Sequence, residues 1–93
     1  VVVKPSEETP LIALEFAKIL TEAGLPAGVL NVVNGYGYEI GEALITDKRV
    51  RGVALTGSTA TGQIVGKQAI DGMKHLQLEL GGKNPLVILD DFD

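Results

Sequence analysis

Short apolar runs and stretches with helical periodicity alternate three times along these 93 residues, joined by connections of only a few residues. That alternation is the strongest constraint on the fold. A strand that crosses through a helix to a parallel neighbour almost always does so with right-handed sense. Repeated βα units therefore build a parallel sheet covered by helices. In open sheets of this kind ligands lie beyond the C-terminal ends of the strands. Ligand-facing chemistry should gather where strands end.

Val1-Val2-Val3, closed by Lys4-Pro5, predicts a buried strand. Ser6 and Thr9-Pro10 predict a helix start, a hydroxyl cap followed by Pro at the first helical position. Ile12, Phe16, Ile19, Leu20 and Ala23 then recur at helical spacing opposite Glu15, Lys18 and Glu22. Leu11 and Leu14 fall outside that stripe, so this helix should be covered on more than one side. Gly24 and Pro26 mark its end. A second strand is expected over Val29–Val33, a helix from about Glu39 to Thr46, and a third strand over Val50–Leu55. A third helix should run from about Ala60 to Ile70. His75–Leu80 alternates polar and apolar residues, which predicts a strand with one wetter face, and Pro85–Leu89 predicts a last strand.

Four clusters fall at the predicted ligand ends. Gly57-Ser58-Thr59-Ala60-Thr61-Gly62 follows a strand and opens a helix, where unpaired N–H groups and the positive dipole end suit a pyrophosphate. Ser58 and Thr59 could equally serve only as helix caps. The Lys-Ser/Thr pair of a P-loop does not follow, which disfavours Mg-nucleotide hydrolysis. Gly35-Tyr36-Gly37-Tyr38-Glu39-Ile40-Gly41 comes one residue away from a dinucleotide fingerprint. By itself it reads better as a tight turn than as a phosphate cradle. Lys4-Pro5-Ser6-Glu7 could hold a ribose through Glu7 and Lys4, or could be a helix-start carboxylate beside a solvated Lys. Glu79 precedes Gly81-Gly82, where a partly desolvated carboxylate could act as a general base toward water. It could also be one more residue of the exposed face that carries His75 and Gln77. His75, Arg49 and Arg51 are expected to be solvated surface groups.

Composition narrows the remaining classes. The net charge is −4 with no basic run, which argues against nucleic acid or an anionic membrane as partner. There is no Cys, hence no disulfide, thiolate metal site or Cys nucleophile within these residues, and the single His cannot form a metal site alone. No apolar stretch approaches the ~18 residues of a membrane span, and no signal peptide opens the chain, so a cytoplasmic location is expected. The first residue is not Met and the last are Asp90-Asp91-Phe92-Asp93, so we expect a segment of a longer polypeptide.

Five stretches together carry a specific likeness: Lys4-Pro5-Ser6-Glu7 with Thr9-Pro10, Glu22-Ala23-Gly24-Leu25-Pro26, Gly28-Val29-Leu30-Asn31-Val32-Val33, Thr56-Gly57-Ser58-Thr59 and Glu79-Leu80-Gly81-Gly82-Lys83. In order and spacing, over essentially the whole chain, they resemble the aldehyde dehydrogenase superfamily. The resemblance implies an incomplete, parallel-sheet, Rossmann-like α/β NAD-binding domain over residues 1–82 and the start of a catalytic domain over 83–93. It implies an enzyme that oxidises an aldehyde to a carboxylate through a Cys thioester. Glu79 matches the general base that activates the hydrolytic water. Lys4, Ser6 and Glu7 match the ribose-binding stretch, and a carboxylate at Glu7 favours NAD over NADP by repelling a 2′-phosphate. Thr56, Gly57, Ser58 and Thr61 match the pyrophosphate site, Gly37 and Gly41 the adenine pocket, and Leu80 and Gly81 backbone contacts near the nicotinamide.

Leu55 stands where the family usually has Phe, and Phe92 where it usually has Ala. The family's nucleophilic Cys is expected beyond Asp93, and its oxyanion-hole Asn before Val1. These residues alone should therefore not turn over aldehyde, and the parent enzyme is expected to be a homodimer or homotetramer. Two other classes fit less well: an acylating or acyl-phosphate-reducing cousin, which needs no water-activating Glu, and a non-catalytic nucleotide-binding relative. Open strand edges such as Val1–Val3 predict self-association of the isolated chain.

Overall fold

The structure, a computed structural model, describes residues 1–90. Residues 91–93, the end of the expected catalytic-domain start, lie outside the described residues. The elements are β1 (Val2–Val3), α1 (Pro10–Glu22), β2 (Asn31–Val32), α2 (Gly37–Thr46), β3 (Gly52–Gly57), α3 (Thr59–Asp71) and β4 (His75–Leu80). The expected βα alternation is present and every strand pairing is parallel. The expected single sheet is not: among the described residues β1 pairs with β2 alone, and β3 with β4 alone. The chain accordingly forms two compact units, Val1–Leu44 and Ile45 onward.

In the first unit, β1 and β2 meet in the register Val2↔Asn31 and Val3↔Val32. Thr9 is the N-cap of α1 and Pro10 sits at its start, as the sequence predicts, but the Thr9 hydroxyl makes no capping bond. The Ser6 hydroxyl instead accepts from the Glu8 N–H at 3.3 Å. The C-terminus is closed as Gly24 implies. Gly24 takes φ +93°, its N–H donates to the Thr21 carbonyl and the Leu25 N–H to that of Leu20. These are the two bonds of a Schellman motif, and only glycine adopts that φ without strain.

Two packing expectations fail here. Val1–Val3 is not a buried strand: Val1 and Val2 are exposed. The stripe of α1 is also displaced. The partly covered positions are Pro10, Ala13, Ala17 and Leu20, whereas Ile12, Phe16 and Ile19 are 77%, 57% and 58% exposed. Two strands of two residues are too narrow to cover a helix on more than one side, so of the predicted stripe Leu20 packs while Ile12, Phe16 and Ile19 stay open.

The second unit holds the only buried apolar side chains among the described residues, Val65 and Ala69. Helix α3 lays Gly62, Val65, Gly66 and Ala69 along one face against the β3–β4 pair. Strand β3 begins and ends two residues later than the sequence predicts, because its ladder follows β4, from Gly52↔His75 to Gly57↔Leu80. Leu76, Leu78 and Leu80 point to the helix, and alternation leaves His75, Gln77 and Glu79 on the open face. The strand expected over Pro85–Leu89 does not form. Leu86–Leu89 stay 64–86% exposed, and an apolar run without a neighbouring strand has nowhere to place its backbone hydrogen bonds.

The glycines of α3 differ in what they allow. A methyl group on Gly66 would lie 3.7 Å from Leu76 Cδ2 and 3.8 Å from Leu78 Cδ1, ordinary contact distances. Gly66→Ala should therefore keep most of the helix-propensity gain of about 1 kcal/mol and raise the urea midpoint of the full chain. On Gly62 the same methyl would come within 2.6 Å of Leu80 Cδ2. Gly62→Ala should lose that gain in displacing Leu80.

Candidate functional site

At the C-terminal ends of β1 and β2 the residues of Lys4–Glu7 meet Asn34–Tyr36. The Lys4 ammonium donates to the Pro5 carbonyl at 2.8 Å, the Gly35 carbonyl at 3.0 Å and a Glu7 carboxylate oxygen at 3.3 Å. All three of its donors are then engaged. The solvated Lys admitted by the sequence is thus a clip, tying the end of β1 to the turn after β2. Glu7 is held ionised. The hydrogen bond from its own backbone N–H, then that from Lys4, lower its pKa from 4.5.

A hollow of about 210 Å³ opens beside this carboxylate, lined by Pro5, Ser6, Glu7, Pro10, Asn34, Gly35 and Tyr36. From sequence, Pro10 reads only as a helix start, Tyr36 only as part of a tight turn, and Asn34 has no assigned role. Asn34 could have been singled out, because it directly follows an apolar strand. The Tyr36 and Tyr38 rings stack at 5.3 Å. Gly35 is a packing glycine, since a methyl there would meet Ile40 Cδ1 at 2.9 Å. Gly37 and Gly41, four residues apart and so on one face of α2, have nothing within 4 Å of where a methyl would stand.

The Glu7 shift has a measurable consequence. A carboxylate with a lowered folded-state pKa contributes stability that is present above its unfolded value and lost as pH falls through the folded one. By carbon-detected NMR, Glu7 should titrate below the glutamates of an unfolded reference peptide of the same sequence. In Lys4→Met the midpoint should rise only part of the way back, because the backbone hydrogen bond, the larger cause, survives.

The second unit supplies the other candidates. Thr56 and Glu79 are register partners, as are Gly57 and Leu80. Thr56 and Glu79 are both exposed on the open face, and among the described residues Glu79 has no ion-pair partner. Ser58 caps α3, its Oγ accepting from the Thr61 N–H at 3.1 Å and lying 3.0 Å from Thr61 Oγ1. The capping role open to Ser58 from sequence is thus filled. The first-turn N–H groups of Thr59 and Ala60 still have no intrahelical acceptor. Gly62, the last residue of the 57–62 stretch, is buried beneath Leu80 and offers no backbone to a ligand. Gly81 follows directly, with nothing within 4 Å of where its side chain would be. The candidates therefore fall into two sets, Lys4, Ser6, Glu7, Gly37 and Gly41 in one unit and Thr56, Gly57, Ser58, Thr61, Glu79, Leu80 and Gly81 in the other.

The sequence model of the aldehyde dehydrogenase family matches residues 1–93. Betaine aldehyde dehydrogenase of Cereibacter sphaeroides is 56% identical over 92 residues, which are 99% of this chain and 19% of that one. Phenylacetaldehyde dehydrogenase of Pseudomonas fluorescens is 53% identical over 93 residues, 100% of this chain and 18% of that one. The chain thus spans about a fifth of the length of the curated relatives it matches. A crystal structure of aldehyde dehydrogenase C from Pseudomonas syringae, complexed with NAD+ and octanal, superposes with a TM-score of 0.88 at 45% identity. It covers all of this chain and 19% of that one.

Proposed function

This chain belongs to the aldehyde dehydrogenase family, and we propose that it is the cofactor-binding segment of an enzyme that oxidises an aldehyde to a carboxylate with NAD. The observation that carries this is the Glu7 carboxylate, held by the Lys4 ammonium beside the hollow at the ends of β1 and β2. An acceptor-only carboxylate takes hydrogen bonds from ribose hydroxyls and disfavours a 2′-phosphate, hence NAD rather than NADP.

The residues present fit such a cofactor. Glu7, oriented by Lys4 and flanked by Ser6, takes the adenosine ribose, and the bare surfaces of Gly37 and Gly41 leave room for a flat base. The N-terminus of α3, with Thr56, Gly57, Ser58 and Thr61 around it, suits a pyrophosphate through its unpaired N–H groups and dipole. Leu80 and Gly81 would contact the nicotinamide half through their backbone. NAD, when bound, supplies the hydride acceptor. Glu79 takes a proton from the water that hydrolyses the thioester, which forms on a Cys from outside these residues. An intact Glu79-Leu80-Gly81-Gly82-Lys83 favours this over acylating or acyl-phosphate-reducing chemistry, which requires no such base.

Grafting tests the proposal. These residues replace the matched stretch of the C. sphaeroides betaine aldehyde dehydrogenase, and NAD reduction with betaine aldehyde is assayed. Retained NAD-coupled oxidation is expected. A folded graft that no longer binds NAD overturns it. The 93 residues alone should show no turnover.

A further inference from the structure

A second hollow, about 320 Å³, opens at the N-terminal ends of β3 and β4, the opposite end of the pair from Thr56 and Glu79. Lys48, Arg51, Lys74 and His75 line it together with Thr46 and Met73, and no carboxylate does. Every charged residue of the lining is basic, in a chain whose net charge is −4. This hollow shares no lining residue with the one beside Glu7.

Two features distinguish it from a scatter of solvated side chains. The Lys74 ammonium is fixed, donating to the Asp47 carbonyl at 2.6 Å and the Val50 carbonyl at 2.7 Å. A lysine has three donors, so one remains, on a side chain whose conformational freedom is already spent. The acid in the turn between Thr46 and Lys48 is also paired. Arg49 binds Asp47 through Nε at 3.0 Å and through its terminal nitrogen at 2.7 Å. Hydrogen bonding to Arg49 is the chief cause that lowers the Asp47 pKa, with Lys74 adding a smaller attraction. Arg51 and Lys48 make no ion pair among the described residues.

We propose that this hollow binds a small anion bearing a phosphate group, with Lys74 as the fixed cation and Arg51 and Lys48 closing on the oxygens. The volume lies at the low end of small-molecule sites, which run from about 300 to 1,000 Å³. A nucleic-acid strand needs a longer basic track and stacking aromatics, and no aromatic residue lines this site apart from the imidazole of His75.

Inorganic phosphate is the probe. It is titrated into the full chain at ionic strength held constant with chloride, and backbone amide shifts are followed by NMR. Saturable shifts are expected at Lys48, Arg51, Met73, Lys74 and His75. Arg51→Gln should weaken the apparent affinity about tenfold, the loss of one charge-assisted contact. Lys48→Gln, in an exposed turn, should weaken it as well, which guards against a fold defect in the first variant. Lys67→Gln, exposed on α3, should leave it unchanged. Shifts that do not saturate, that chloride alone reproduces, that both Gln variants of the hollow leave unaltered, or that fall at Ser58–Gly62 instead would overturn the proposal.

Discussion

Glu79→Gln in the grafted enzyme is expected to cut steady-state aldehyde oxidation by about 10²–10⁴-fold, the usual contribution of a positioned general base. Gln keeps the shape of the side chain and its place on the open face of β4, but it cannot take a proton from water. Thioester hydrolysis should then become limiting. The first turnover, which needs only thiol addition and hydride transfer, should survive as a burst of reduced cofactor equal to the enzyme concentration. Nothing in the local packing complicates the substitution, because Glu79 is exposed and has no ion-pair partner among the described residues. Loss of the burst together with the steady state would assign Glu79 to thiol activation. Unchanged turnover would remove it from the chemistry altogether.

The elements were legible in the sequence because each depends on local signals. Thr9-Pro10 and Gly24 bracket α1 within two residues, and the alternation in His75–Leu80 returns as β4 with its predicted bounds. What periodicity cannot convey is which faces find a partner. Ile12, Phe16 and Ile19 form a convincing apolar stripe, yet the residues that pack are Ala13, Ala17 and Leu20. The same limit applies to Pro85–Leu89, whose composition suits a strand but which meets no neighbour to pair with.

Site residues divide along similar lines. Backbone-defined features, such as the α3 N-terminus after Thr56-Gly57-Ser58, could be placed from spacing alone. Side-chain geometry could not. That Lys4 spends its donors on two carbonyls and Glu7 depends on how β1 and β2 pair. That Gly62 serves packing depends on where Leu80 lies. Lys74 carried no signal at all, because its partners are carbonyls 24 and 27 residues away.

Ala69→Asp should unfold the second unit, and the neighbouring Ile70→Asp should not. Ala69 is 0% exposed and, with Val65 at 7%, makes up the buried apolar core of the described residues. An aspartate there places an unpaired carboxylate between α3 and the β3–β4 pair, without room for its volume or water for its charge. Such burial costs at least about 3 kcal/mol, a large share of the 5–15 kcal/mol that stabilises a typical domain. Burial could be relieved only by lifting α3 off the sheet, which would also release Gly62 and Gly66 from Leu80, Leu76 and Leu78. Ile70, one position on, is 63% exposed. Its replacement adds the same charge at the same end of the same helix, so the dipole effect nearly cancels in the comparison and the propensity difference stays below about 0.7 kcal/mol. In a urea melt of the full chain, Ile70→Asp should stay within about 1 kcal/mol of the parent, while Ala69→Asp should show amide exchange through α3 and β4 at close to unfolded rates. Similar midpoints for the two variants would mean that the α3 face seen here does not carry the stability of the unit.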